Sequence, residues 1–193
     1  MTRTGLIRVG GLAAMVGTVA YATLNLAFWF LEPPFSRIIQ HLDRDRTIQT
    51  LDNIFFVFLV LGALAAIVSL HTLYRELYGM TGTLVSLVAF VGLVLFLVSG
   101  LGDVLRLYWY FTSPLLSMML VALGGIGLGV VTIAARVLPW WYGVALIVGS
   151  PGFAPAALYG ELWGVLVGVA WALVGYAIFR AATRQAQQPS RVR

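Results

Sequence analysis

Three carboxylic acids and one arginine, placed at the ends of long apolar stretches, are the side chains best suited to chemistry. Asp103 and Arg106 interrupt an apolar run, and their spacing of three places both on one helical face, where they can pair. Asp52, with Asn53 beside it, opens one apolar stretch, and Glu161 opens another. Crowded carboxylates raise one another's pKa and an arginine lowers it, so a cluster of these groups could bind cations or pass protons.

The same residues also fit ordinary helix ends at a membrane surface. Asp103 follows Thr83 by twenty residues, which is about 30 Å of helix, the thickness of the hydrocarbon core. The aromatic residues 108–111 come next and are typical of the belt at a membrane interface. An interfacial salt bridge and a ligand site therefore both remain open for this pair.

A second candidate for binding is the sequence Ser150-Pro151-Gly152, which interrupts an apolar stretch. Counted from Trp140, the interruption falls about 15 Å along a helix, near the middle of a bilayer. A break there frees backbone groups that must face protein or a water-filled cavity, and transporters bind substrates at such breaks. A purely structural proline kink is the alternative.

The composition predicts that lipid is the solvent of this chain. Of its 193 residues, 61% are hydrophobic and 10% are charged, with a mean hydropathy of +0.95. Soluble domains carry about 25% charged residues.

Cysteine is absent, which excludes disulfides and thiolate ligands. All twelve basic residues are arginine, which excludes lysine imines and is typical of GC-rich bacterial genomes. The only histidines, His41 and His71, are expected near opposite membrane faces, so they could not share a haem, and no cofactor is expected.

We predict an all-α integral membrane protein, a bundle of six transmembrane helices. The spans are 6–30, 51–74, 83–111, 114–136, a broken fifth helix within 138–159, and 160–181. An amphipathic interfacial segment, 35–51, follows the first helix. Residues 1–182 form the single transmembrane domain, and residues 183–193 form a polar cytoplasmic tail.

The arginines predict the orientation of this bundle. With the N-terminus inside, the inner segments hold eight arginines and one acid, whereas the outer segments hold four arginines and six acids. Because arginine favours the cytoplasmic side, both termini are expected in the cytoplasm, with the protein in a bacterial inner membrane.

Glycines spaced by four predict close helix packing. Gly160, Gly164 and Gly168 form one ridge, and Gly125 with Gly129 forms another. Ridges of this kind let helices approach closely in lipid, either within one bundle or between subunits.

Three classes of function remain open. The first is a non-enzymatic accessory or oligomeric membrane subunit, whose partners are the lipid bilayer and a homo-oligomer or larger membrane complex. The second is a carrier or binder of a small molecule, ion or lipid, with an outward-facing acidic site formed by the carboxylates above, Arg106 and Ser150. The third is an intramembrane lipid-modifying enzyme. The sequence contains no HExxH, GxSxG or GxxxxGK[ST] motif, and nucleic-acid binding is not needed to explain the basic pI.

Overall fold

The computed structural model describes residues 3–31, 46–105, 114–136, 138–159 and 161–187, and these are helical almost throughout. The described part contains no strand, as expected for an apolar chain in which helices satisfy their own backbone groups. The helices are α1 (Arg3–Leu31), α2 (Arg46–Val104), α3 (Pro114–Ala134), α4 (Trp140–Gly149), α5 (Phe153–Tyr159) and α6 (Glu161–Gln187).

Within the described residues, four helical stretches are long and apolar enough to cross a membrane. They are Thr4–Ala27, Leu51–Gly102, Leu115–Ala134 and Leu162–Arg184. The first, third and fourth correspond to the predicted spans 6–30, 114–136 and 160–181. Helix α6 continues to Gln187, so the first residues of the predicted polar tail extend the last helix. Most of the predicted amphipathic segment 35–51 lies outside the described residues, and helix begins at Arg46.

Helix α2 is two antiparallel arms joined at Gly79, not one rod. Gly79 has φ 60° and ψ −158°, a non-helical conformation inside the element. The rings of Phe56 and Phe96 are 5.6 Å apart, although a straight helix would separate residues forty positions apart by about 60 Å. The first arm (46–78) contains the predicted second span, 51–74, and the second arm (80–104) contains the predicted third span, 83–111, as far as residue 104. Residues 106–111 of that span lie outside the described residues.

The turn between these arms is shorter than the sequence suggests. The predicted spans leave residues 75–82 as a connection, but the structure keeps all of these except Gly79 in helix. Glycine lacks a Cβ and adopts positive φ readily, so one residue suffices to reverse the chain.

Neighbouring segments run antiparallel around the bundle. Helix α1 packs against the first arm and α6, the second arm packs against α3, and α3 packs against α4. Between α1 and α6, for example, Gly11 lies against Phe179 and Gly168 lies against Ala22. Between the second arm and α3, the hydroxyls of Tyr78 and Thr132 are 2.9 Å apart.

Aromatic rings fill the centre of the bundle. Phe153, at the start of α5, is fully buried, and its ring lies 6.4 Å from that of Phe56, 5.9 Å from that of Phe96 and 5.9 Å from that of Trp171. Tyr21 adds an edge contact to Phe56 at 5.8 Å. Because α5 supplies the ring that contacts both arms and α6, the broken segment lies at the heart of the core.

Candidate functional site

The predicted break at Ser150-Pro151-Gly152 separates α4 from α5. The amide of Ser150 still donates to the carbonyl of Leu146 at 3.1 Å, whereas the amide of Phe153 donates only three residues back, to Ser150, at 3.3 Å. Pro151 has no N–H, so the carbonyl of Ile147 loses the donor that a continuous helix would supply. The α-helical hydrogen-bond ladder is therefore interrupted for about one turn, at the position where the sequence predicts a break.

The break lies in the middle of the bundle, between α3 and α6. On one side, Ser150 sits against Gly125 of α3 so closely that a Cβ on that glycine would overlap the serine side chain. On the other side, Gly149 faces Ala170 and Gly152 faces Val167, both on α6. From Gly149 to Gly152 the contacts on α6 move back from Ala170 to Val167. The chain therefore keeps one direction from α4 through the break to α5, antiparallel to α6.

Ser150 is buried and its hydroxyl has no hydrogen-bond partner among the described residues. Its side chain is 1% exposed. Other buried hydroxyls of the core behave differently: those of Thr18, Ser86 and Thr132 donate to the carbonyl four residues earlier, each at 2.7 Å. The hydroxyl of Ser150 is thus a polar group that the described part of the fold leaves unsatisfied.

Trp171 presents a second unsatisfied group from the opposite side of the break. It is 1% exposed, and its Nε1 has no hydrogen-bond partner among the residues that the structure describes. A Cβ at Gly149 would lie 3.4 Å from this nitrogen, so the indole N–H lies beside the last turn of α4. We define the break site as Ser150, Trp171 and the carbonyl of Ile147.

Ser150 is predicted from the sequence as a site residue, whereas Trp171 is not. The neighbourhood GVAWALVG contains only small or aliphatic residues besides the tryptophan, so its ring is expected to fill the core, which it does. Its one distinguishing feature in the sequence is a donor N–H within an otherwise apolar stretch, which requires a partner when buried.

The predicted acidic residues lie at one end of the bundle, which we call the acidic end. Asp52 and Asn53 are half-buried in the first turns of the first arm. Asp103 lies at the close of the second arm and Glu161 begins α6, but their side chains are not among those described. Arg106, and with it the predicted pairing with Asp103, lies outside the described residues.

Ser150 lies at a different depth from this acidic end. The residues of α6 that face the break, Val167 and Ala170, follow Glu161 by six and nine positions, which is about 9 to 14 Å along a helix. A site joining Ser150 to the carboxylates would have to span that distance. Convergence of the three carboxylates on one ligand stays a prediction.

The predicted glycine ridges lie against neighbouring helices of the same bundle. Gly125 meets Ser150, Gly129 meets Gly143, Gly164 meets Asn25, and Gly168 meets Thr18 and Ala22. Gly160 lies outside the described residues. Close approach at these points fixes α6 against α1 and fixes α4 against α3, which sets the walls of the break site.

Arginines gather at the opposite end of the bundle, the arginine end, where α1 begins. The guanidinium of Arg8 lies 5.8 Å from the centre of the Phe179 ring, and Tyr142 lies within electrostatic range of Arg180 and Arg184. A cavity of about 340 Å³ opens here between α1 and α2, and Tyr74 and Glu76 are among its lining residues.

Metal ligation finds no geometric support in the described residues, where no three His, Cys, Asp or Glu side chains come together. The chain matches no protein-family model, no curated protein and no solved structure.

Proposed function

We propose that this chain is a multi-pass protein of a bacterial inner membrane that crosses the bilayer six times, with both termini in the cytoplasm. The alternating direction of α1, the two arms, α3, the α4–α5 segment and α6 supports an even number of crossings. Arg8, Arg180 and Arg184 share the end at which α1 begins, as the positive-inside rule requires of a cytoplasmic face.

Reporter fusions test this orientation. The reporter is active only in the cytoplasm. A fusion after residue 31 is expected to be inactive, and activity there would mean that the first span is inverted. Fusions within 75–82 and after residue 187 are expected to be active. A C-terminal fusion without cytoplasmic activity would contradict the six-span topology.

Within this architecture, we propose that the protein binds a small molecule at the break site, as a carrier or binder. The observation that carries this proposal is the pair of polar groups without a hydrogen-bond partner among the described residues, Ser150 Oγ and Trp171 Nε1, on either side of the interrupted turn. A buried donor or acceptor without a partner costs about 1 to 3 kcal/mol. Binding a ligand that satisfies these groups would recover that cost.

Thermal unfolding of the purified protein in detergent, across a panel of ions, lipids and small polar molecules, tests the binding function. At least one compound is expected to raise the Tm of the wild type, and Ser150→Ala is expected to abolish that rise. Ser86→Ala is the matched control, since Ser86 is equally buried but satisfied by the carbonyl of Gly82. Binding at the break is refuted if no compound stabilises the wild type, or if Ser150→Ala responds as the wild type does.

A second candidate function is that of an oligomeric membrane subunit, favoured by a groove on the outer surface between α1 and α6. The groove has a volume of about 470 Å³. Of the small residues that line it, Ala22 and Gly168 are buried against each other, and Ala172 is partly exposed among larger apolar side chains. A small residue at the surface lets another helix approach closely in lipid. We propose a helix of a second copy of the chain as its occupant.

The oligomeric state in detergent tests this second candidate. Ala172→Phe, which fills the groove, is expected to convert the oligomer to a monomer. Leu87→Phe, on the exposed face of the second arm, is the control and should leave the oligomer intact. A wild type that is already monomeric, or an Ala172→Phe variant that still assembles, would contradict a second copy in the groove.

A further inference from the structure

We propose that the ligand of the break site is a small neutral molecule that carries both a hydrogen-bond donor and a hydrogen-bond acceptor. Water is the smallest such molecule, and small hydroxylated or amide solutes share its chemistry. This inference rests on the proposed binding function, because it names the ligand class of the same site.

The hydrogen-bonding groups at the break require both capacities in the ligand. The indole N–H of Trp171 can only donate, so its partner must accept. The carbonyl of Ile147, freed by Pro151, can only accept, so its partner must donate. The hydroxyl of Ser150 can donate or accept a hydrogen bond. It therefore complements a single ligand molecule or two ligand molecules that are hydrogen-bonded to each other.

The mixture of these groups favours a neutral ligand over an ion. The carbonyl oxygen of Ile147 attracts a cation and repels an anion, whereas the N–H of Trp171 does the reverse, so an ion that binds both groups gains from one and loses at the other. An ion in the middle of a bilayer also pays a large desolvation cost without a counter-charge. On α6, Glu161 precedes the residues that face the break by at least six positions, so its carboxylate does not supply that counter-charge.

Tight packing on both sides limits the size of the ligand. A methyl group added at Gly125 would overlap Ser150, and one added at Gly149 would lie 2.7 Å from the Cβ of Ala170. The ring of Phe153 contacts Phe56 on the first arm and Phe96 on the second, so it closes the space toward α2. Such close contacts favour a ligand of a few non-hydrogen atoms over a lipid headgroup.

Indole nuclear magnetic resonance of the full chain in detergent tests this inference. Tryptophan is labelled with ¹⁵N, and the Trp171 signal is assigned as the one lost in Trp171→Phe. The probes are bulk water, observed by magnetisation transfer to the indole proton, and then glycerol, acetamide, sodium chloride and sodium acetate, each titrated separately. Trp163, which is 46% exposed, provides an internal reference for nonspecific solvent effects.

The expected result is a saturable shift of the Trp171 N–H signal with glycerol or acetamide, together with transfer from a long-lived water before the solute is added. Ser150→Ala is expected to weaken the apparent affinity at least tenfold, and Ser86→Ala is expected to leave it unchanged. Ser150→Gly serves as the second variant if Ser150→Ala does not fold.

The outcomes separate this inference from the proposed function. A long-lived water without any solute response overturns both, because structural water then satisfies these groups and no solute binds. A saturable shift with sodium or acetate, and none with neutral solutes, overturns the inference while leaving a binding function in place. A Trp171 signal without water transfer or any saturable shift overturns both.

Discussion

Replacing Gly125 with alanine tests the packing that forms the break site. The new Cβ would overlap both the Cβ and the Oγ of Ser150. Overpacking a core costs about 1 to 3 kcal/mol, while alanine gains about 1 kcal/mol over glycine in a helix interior. We therefore expect Gly125→Ala to lower the free energy of unfolding by up to about 2 kcal/mol.

The same substitution in a Ser150→Gly background should behave in the opposite way. The overlap is gone, so the alanine should raise the free energy of unfolding by up to about 1 kcal/mol. The double-mutant cycle then gives a coupling of about 1 to 3 kcal/mol, well above the 0.3 to 0.5 kcal/mol typical of independent sites.

Equilibrium unfolding in mixed micelles, with sodium dodecyl sulfate as the denaturant, measures these free energies. Gly100→Ala is the matched control, because its Cβ would overlap no atom: it would lie 3.2 Å from the Cγ2 of Val57 and 3.8 Å from the Cδ1 of Phe56. This control should be neutral or slightly stabilising. A Gly125→Ala variant as stable as that control, with the same effect in both backgrounds, would refute the contact between α3 and the broken segment.

Three further substitutions probe the rest of the bundle by the same unfolding assay. Gly79→Ala has free space around it but forces alanine into φ 60°, so we expect a loss of about 1 to 3 kcal/mol, and a neutral result would contradict the one-residue reversal. Tyr78→Phe removes the hydroxyl pair with Thr132 and should cost about 0.6 to 1.7 kcal/mol; an equal loss in a Thr132→Val background would show that the pair is not coupled. Arg8→Gln should cost about 0.5 to 1 kcal/mol through loss of the contact with Phe179, and no change would mean that this exposed contact is not populated.

The sequence predicted the parts of the candidate site that depend on local chemistry. Pro151 lacks an N–H wherever it stands, so a break after α4 followed from the sequence, and Ser150 was identified with it. Trp171 could not be identified in this way. Its importance depends on an indole N–H that has no hydrogen-bond partner among the described residues and lies beside the end of α4. The end of α4 lies more than twenty residues earlier in the chain, so this contact could not be predicted from the local sequence.

The amino-acid sequence by itself determined that the chain is helical, apolar enough for lipid and interrupted at Pro151, because hydropathy and a missing backbone donor act over a few residues. Only the tertiary structure decided that Gly79 reverses the chain in one residue, that Gly125 and Gly149 admit the broken segment between α3 and α6, and that Ser150 lies at a different depth from Glu161. Those features depend on which helices meet, and contacts between residues distant in the chain are set by the packing of the whole bundle.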